Sequence, residues 1–85
     1  MNKTYDFEPL MTRAGIMQRN EKDPVRAEWW EGYMLGLRRA HFGEDYNVDR
    51  HDMLLTPMSK KKDPMLAAFG RGYRAGLTLQ LRNPD

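Results

Sequence analysis

Apolar residues recur at helical spacing in two stretches of this chain, and both stretches follow one pattern. The first reads Asp23-Pro24-Val25-Arg26-Ala27-Glu28-Trp29-Trp30-Glu31-Gly32-Tyr33-Met34-Leu35-Gly36-Leu37. The second reads Asp63-Pro64-Met65-Leu66-Ala67-Ala68-Phe69-Gly70-Arg71-Gly72-Tyr73-Arg74-Ala75-Gly76-Leu77. Seven positions are identical at an offset of forty, and an eighth keeps an aromatic, Trp29 against Phe69. A repeat this dense means that one structural unit is used twice. At ~100° per residue, one face of the first copy collects Val25, Trp29, Gly32, Tyr33, Gly36, Leu37 and Ala40. The matching face of the second collects Met65, Leu66, Phe69, Gly72, Tyr73, Gly76 and Leu77.

Each copy opens with the same helix-start signal. An aspartate caps orphan amides with its carboxylate, and a proline in the first helical position loses no hydrogen bond. The first repeat helix is therefore predicted over 23–43, closed by Gly43. The second is predicted over 63–83, stopped by Asn83-Pro84. Residues 1–22 form an N-terminal arm in which Pro9 to Asn20 can make a short helix with Leu10, Ala14 and Met17 on one side. Residues 44–62 form a loop-rich linker, with a turn of helix near 49–55 ended by Pro57.

The paired glycines decide how the helices meet. Each mid-helix glycine costs ~1 kcal/mol against alanine, and close backbone approach is the compensation. The expected fold is all-α, a single domain with two pseudo-symmetric helices packed through their GxxxG faces. The expected contact residues are Trp29, Gly32, Tyr33 and Gly36 on one side, and Phe69, Gly72, Tyr73 and Gly76 on the other. Glycines in mid-helix do not make a phosphate loop, which needs them in a turn after a strand.

Composition narrows the functional classes. The chain has 85 residues and no cysteine, so neither disulfides nor zinc thiolates can brace its small core. No stretch approaches the ~18 apolar residues of a membrane span, and the first ten residues lack a signal-peptide run; a cytoplasmic protein is expected. His41 and His51 show no metal-binding spacing, and Ser59 is the sole serine. No enzyme activity, metal or cofactor is expected.

The net charge of +2 is unevenly spread. Residues 44–59 hold one Arg against four acids, a balance of −3, whereas residues 60–85 hold six Lys or Arg against two acids, a balance of +4. On the second repeat helix Arg71, Arg74 and Arg82 share a face opposite the apolar one, together with Thr78. Together with Lys60, Lys61 and Lys62 they form a candidate surface for a nucleic-acid backbone or an acidic partner. Trp30 and Met34 have no counterparts in the second copy, where Gly70 and Arg74 stand. They are candidates for a partner interface, or for packing on the N-terminal segment.

Over Gly32-Tyr33-Met34-Leu35-Gly36 and Gly72-Tyr73-Arg74-Ala75-Gly76 the chain resembles the ribosome modulation factor family, along residues 27–37, Gly43 and residues 69–77. The resemblance implies a two-helix fold and a ribosome-associated protein that contacts ribosomal RNA on the small subunit and promotes its hibernating dimer. The chain lacks that family's Cys-Pro-Tyr linker signature, has Glu44-Asp45-Tyr46 in its place, and carries an N-terminal extension. A second expectation is a phage-type inhibitor, such as an anti-CRISPR protein, that docks on a bacterial effector complex by protein–protein contact. A third is a homodimer whose glycine faces pair between chains.

Overall fold

The computed structural model describes residues 6–46, 50, 51, 54 and 62–84. Three helices account for most of them: α1 over Phe7–Asn20, α2 over Pro24–Phe42 and α3 over Pro64–Gly76. Among the described residues there is no strand, and the fold is all-helical, with α2 and α3 packed together and the shorter α1 against α2. No described helix is long and apolar enough to cross a membrane.

The caps of the two repeat helices recur as their sequences do. Asp23 accepts a hydrogen bond from the Val25 amide at 2.9 Å, and Asp63 accepts from Met65 at 2.9 Å and Leu66 at 3.4 Å. Each is followed by proline at the helix start. Gly43 closes α2 with φ of +95°, donating to the Arg39 carbonyl at 2.9 Å. That backbone conformation is one that few other residues adopt without strain. In α1, Pro9 lies in the first turn, where its missing amide has no intrahelical partner to lose.

The glycine faces meet backbone to backbone. A side-chain carbon on Gly32 would overlap the Phe69 carbonyl, and one on Gly72 would overlap the Trp29 carbonyl. Gly36 faces the Tyr73 carbonyl in the same way, and Gly76 faces that of Tyr33. Adding forty to the α2 member of one pair and subtracting forty from its α3 member yields the other pair, so the contacts obey a local two-fold relation. Gly36 and Gly76 also face each other; a carbon added at either would lie 3.0 Å from the other's Cα. Glycine hydrogens directed at carbonyl oxygens add weak Cα–H···O attraction at such crossings. The contacts advance together along both helices, so α2 and α3 run in the same direction. Parallel neighbours cannot be joined by a tight turn, which is why a long linker separates Phe42 from Pro64.

The core lies where the third helix meets this pair. Leu10 and Ala14 of α1, Trp29, Trp30, Tyr33 and Leu37 of α2, and Ala68 of α3 form one buried cluster. Trp29 stacks on Tyr33 with centroids 5.2 Å apart, and Trp30 meets both rings edge-on. Tyr73 and Leu54 are also fully buried.

Several expectations are corrected by this arrangement. Trp30 has 0 % of its surface exposed, so it offers nothing to a partner; α1 covers it, and the Arg13 guanidinium lies 5.3 Å above its ring. Met34 is partly buried against the same cluster. Met17, expected to line the inner side of α1, is exposed, as are Met65 and Leu66 in the first turn of α3. Those two precede Phe69, where the glycine contacts begin. The glycine faces are paired within one chain, not between two.

The second repeat helix stops at Gly76, well short of Asn83. Its last turn tightens, with Thr78 and Leu79 donating to the carbonyls of Ala75 and Gly76 at 3.2 Å each. Leu79 then turns the chain with φ of +53°. The left-handed conformation costs a non-glycine residue roughly 1–2 kcal/mol, and hydrogen bonds to residues 80–83 offset it. The Tyr33 hydroxyl donates to the Gln80 carbonyl. Arg13 donates to the Arg82 carbonyl at 3.1 Å and to Asn83 Oδ1 at 2.8 Å. The C-terminal segment is thus tied to both α1 and α2.

Candidate nucleic-acid interface

Folding back the C-terminal segment builds a basic groove. Its walls are Trp29 from α2, Arg71, Arg74 and Ala75 from α3, and Thr78, Arg82 and Asn83 from the segment beyond; its volume is about 370 Å³. Arg71 and Arg74 project from exposed positions, one helical turn apart. Arg82 reaches the same groove through the reversal at Leu79, not by continuing a helix. The cluster expected from a helical face therefore exists, but the third arginine arrives by another route.

Fixed partners position part of this groove. Arg13 holds the backbone of Arg82 and the side chain of Asn83, and the Arg82 Nη2 lies 3.4 Å from Gln80 Oε1. Thr78 Oγ1 donates to the Ala75 carbonyl at 2.7 Å, leaving its oxygen lone pairs toward solvent. No hydrogen bond or ion pair engages the Arg71 or Arg74 side chain among the described residues. Two guanidinium groups with no carboxylate partner among the described residues, in one groove with a third, make a site for an anion with several oxygens. Trp29 lines the wall although it is buried.

The remaining candidates fall elsewhere. Lys62 is exposed just before the α3 N-terminus and does not line the groove. Lys60 and Lys61 lie outside the described residues, as does most of the turn expected near 49–55. His51 Nδ1 sits 2.6 Å from the Tyr73 hydroxyl, and His41 stacks on Phe7. No three His, Cys, Asp or Glu among the described residues are grouped to hold a metal ion.

Arg13 and Asn83 are functional candidates that sequence reasoning missed. They stand 70 positions apart in the chain, and no periodicity links the two. The reversal at Leu79 alone brings them together.

The Tyr33 phenol beneath the segment is held above its ordinary value of 10.0, chiefly by burial, with the Arg13 and Arg82 charges pulling the other way. It is therefore a neutral donor to Gln80 at physiological pH.

Comparisons with protein families, with curated proteins and with solved structures return no match for this chain.

Proposed function

We propose that this protein is a non-enzymatic binding protein that docks on the RNA of a bacterial ribonucleoprotein, in the manner of the ribosome modulation factors it resembles. The observation that carries the reading is the groove of Arg71, Arg74 and Arg82. Three guanidinium groups drawn from one helix and a tethered segment offer several donors to the oxygens of successive phosphates. Such contacts fix position and affinity with little sequence preference. A ribosomal target supplies shape through folded RNA and places the protein in the cytoplasm. Lys60, Lys61 and Lys62 add charge on the approach to α3.

The test is binding to a structured fragment of small-subunit ribosomal RNA at several salt concentrations. Three phosphate contacts predict a log–log slope of about −2 to −3. The double substitution Arg71→Glu, Arg74→Glu is expected to lower that slope by about two while leaving the helical circular dichroism unchanged, because both side chains are exposed. Recovery of ribosomal subunits from bacterial lysate, lost after nuclease treatment, supports the same reading. Nuclease-resistant recovery of one discrete protein complex, with RNA affinity indifferent to the double substitution, overturns it in favour of a protein-directed inhibitor.

A further inference from the structure

At the end of the molecule where α1 begins and α2 finishes, aromatic rings gather on the surface. Phe7 stacks on His41 with centroids 4.2 Å apart and planes 11° from parallel. Phe42 meets Phe7 edge-on at 5.6 Å and His41 at 4.8 Å, and Tyr46 lies 5.5 Å beyond Phe42. Phe42 is 58 % exposed, the most exposed of the large apolar side chains described. A large aromatic left in water beside others marks a contact surface more often than a scattered apolar residue does. The core does not need this ring, since the buried cluster does not include it.

Two grooves share Phe42. One, of about 610 Å³, is lined by Asp6, Phe7, Glu8, Pro9, His41 and Phe42. The other, of about 300 Å³, is lined by Phe42, Asp45 and Tyr46. Asp6, Glu8 and Asp45 are all exposed. One nearby cation, Arg39, is already engaged: it donates to the carbonyls of Glu44 at 2.9 Å and Tyr46 at 2.8 Å, bracing the turn that carries Asp45.

We infer that this end is a docking surface for an arginine-bearing basic segment of a partner protein, with arginine lying against Phe42 and its neighbours between the carboxylates of Asp6, Glu8 and Asp45. Charge complementarity selects this occupant. Exposed aromatic faces attract cations, arginine above all, and flanking carboxylates steer a basic chain toward them. Nucleic acid also stacks on aromatic rings, but it does so in positively charged grooves, whereas the phosphates of a strand here would meet three carboxylates. The surface is distinct from the arginine groove, because the two share no lining residue.

The experiment measures anisotropy of a fluorescein-labelled peptide of alternating arginine and glycine, with lysine–glycine and glutamate–glycine counterparts, against the full chain. Binding of the arginine peptide, weaker binding of the lysine peptide and none of the glutamate peptide is expected. Phe42→Ala leaves net charge unchanged and is expected to weaken the arginine peptide about fivefold, the size of an exposed cation–π contact. Asp45→Asn and Glu8→Gln are expected to weaken it further and to flatten its salt dependence. Equal binding by the parent and Phe42→Ala, with folding confirmed for the variant, overturns the inference, because attraction is then to charge alone. Phe42-dependent binding of a single-stranded RNA oligonucleotide overturns it as well. So does self-association that Phe42→Ala abolishes, which would assign the surface to a second copy of this chain.

Discussion

Four glycines carry the contact between α2 and α3, and the closeness of their fit makes a direct test. At Gly32 and Gly72 an added methyl would run into a backbone carbonyl, which cannot rotate away as a side chain does. Gly32→Ala or Gly72→Ala is therefore expected to cost about 1–3 kcal/mol by overpacking, enough to threaten a small domain. Gly15 is the internal control, because the nearest atom to an added carbon is Arg19 Nη1 at 3.5 Å. Gly15→Ala is expected to stabilise by about 0.5–1 kcal/mol. Urea titrations separate these outcomes, and equal effects at all three positions would remove the case for a glycine-dependent crossing. Trp30 makes a different argument. It is wholly buried, yet its indole Nε1 has no hydrogen-bond partner among the described residues, so packing must outweigh the cost of an unmet donor, about 1–3 kcal/mol. Trp30→Ala is expected to cost about 3–5 kcal/mol, read by the same titrations. Tyr33 supplies the pH dependence. Its folded value lies above 10.0, so the unfolded chain releases this proton first as pH climbs. The associated stability is intact below pH 10.0 and is lost as pH rises through the folded value. Tyr33→Phe should be less stable at neutral pH by about 1 kcal/mol and should decline less steeply than the parent in strong alkali.

Among the elements, the repeat and the short N-terminal helix were legible, and the course of the chain after Gly76 was not. Identical Asp-Pro starts and identical glycine spacing encode α2, the beginning of α3 and their crossing, because capping and close approach are local demands that each copy must meet by itself. The end of α3 is decided differently. Residues 77–83 keep helical spacing in the sequence, with Arg82 in register with Arg71 and Arg74. The chain nevertheless reverses at Leu79, because Tyr33 and Arg13 offer distant acceptors a better arrangement than a further helical turn does. Long-range hydrogen bonds of this kind leave no periodic trace. The same partners explain α1, whose Leu10 and Ala14 follow helical spacing but whose Arg13 reads only as a solvated charge. Arg13→Ala is accordingly expected to release the C-terminal segment, with amide exchange quickening at residues 80–83 and little change within α3. Unchanged protection there would mean that Tyr33 suffices to hold the segment.

On the scale of the whole molecule, the charges form two separate patches. The arginine groove lies beside the end of α3, and the carboxylates of Asp6, Glu8 and Asp45 ring the aromatic patch where α2 finishes. Coulombic coupling between the two depends on the solvent between them. At physiological ionic strength the Debye length is about 8 Å, and exposed charges farther apart than this are largely screened from one another. At about 0.01 M salt the Debye length reaches about 30 Å, and each patch feels the other. Arg71→Gln together with Arg74→Gln removes two positive charges without creating an acidic site. At physiological salt this variant is expected to bind the arginine–glycine peptide within about twofold of the parent, because salt screens the coupling between separate exposed charges. At low salt its affinity is expected to rise above the parent's, because the repulsion from two cations has gone. Peptide titrations of both proteins at the two ionic strengths make the comparison. A large difference already present at physiological salt would mean that the peptide touches the arginine groove, and the two patches would then have to be treated as one continuous surface.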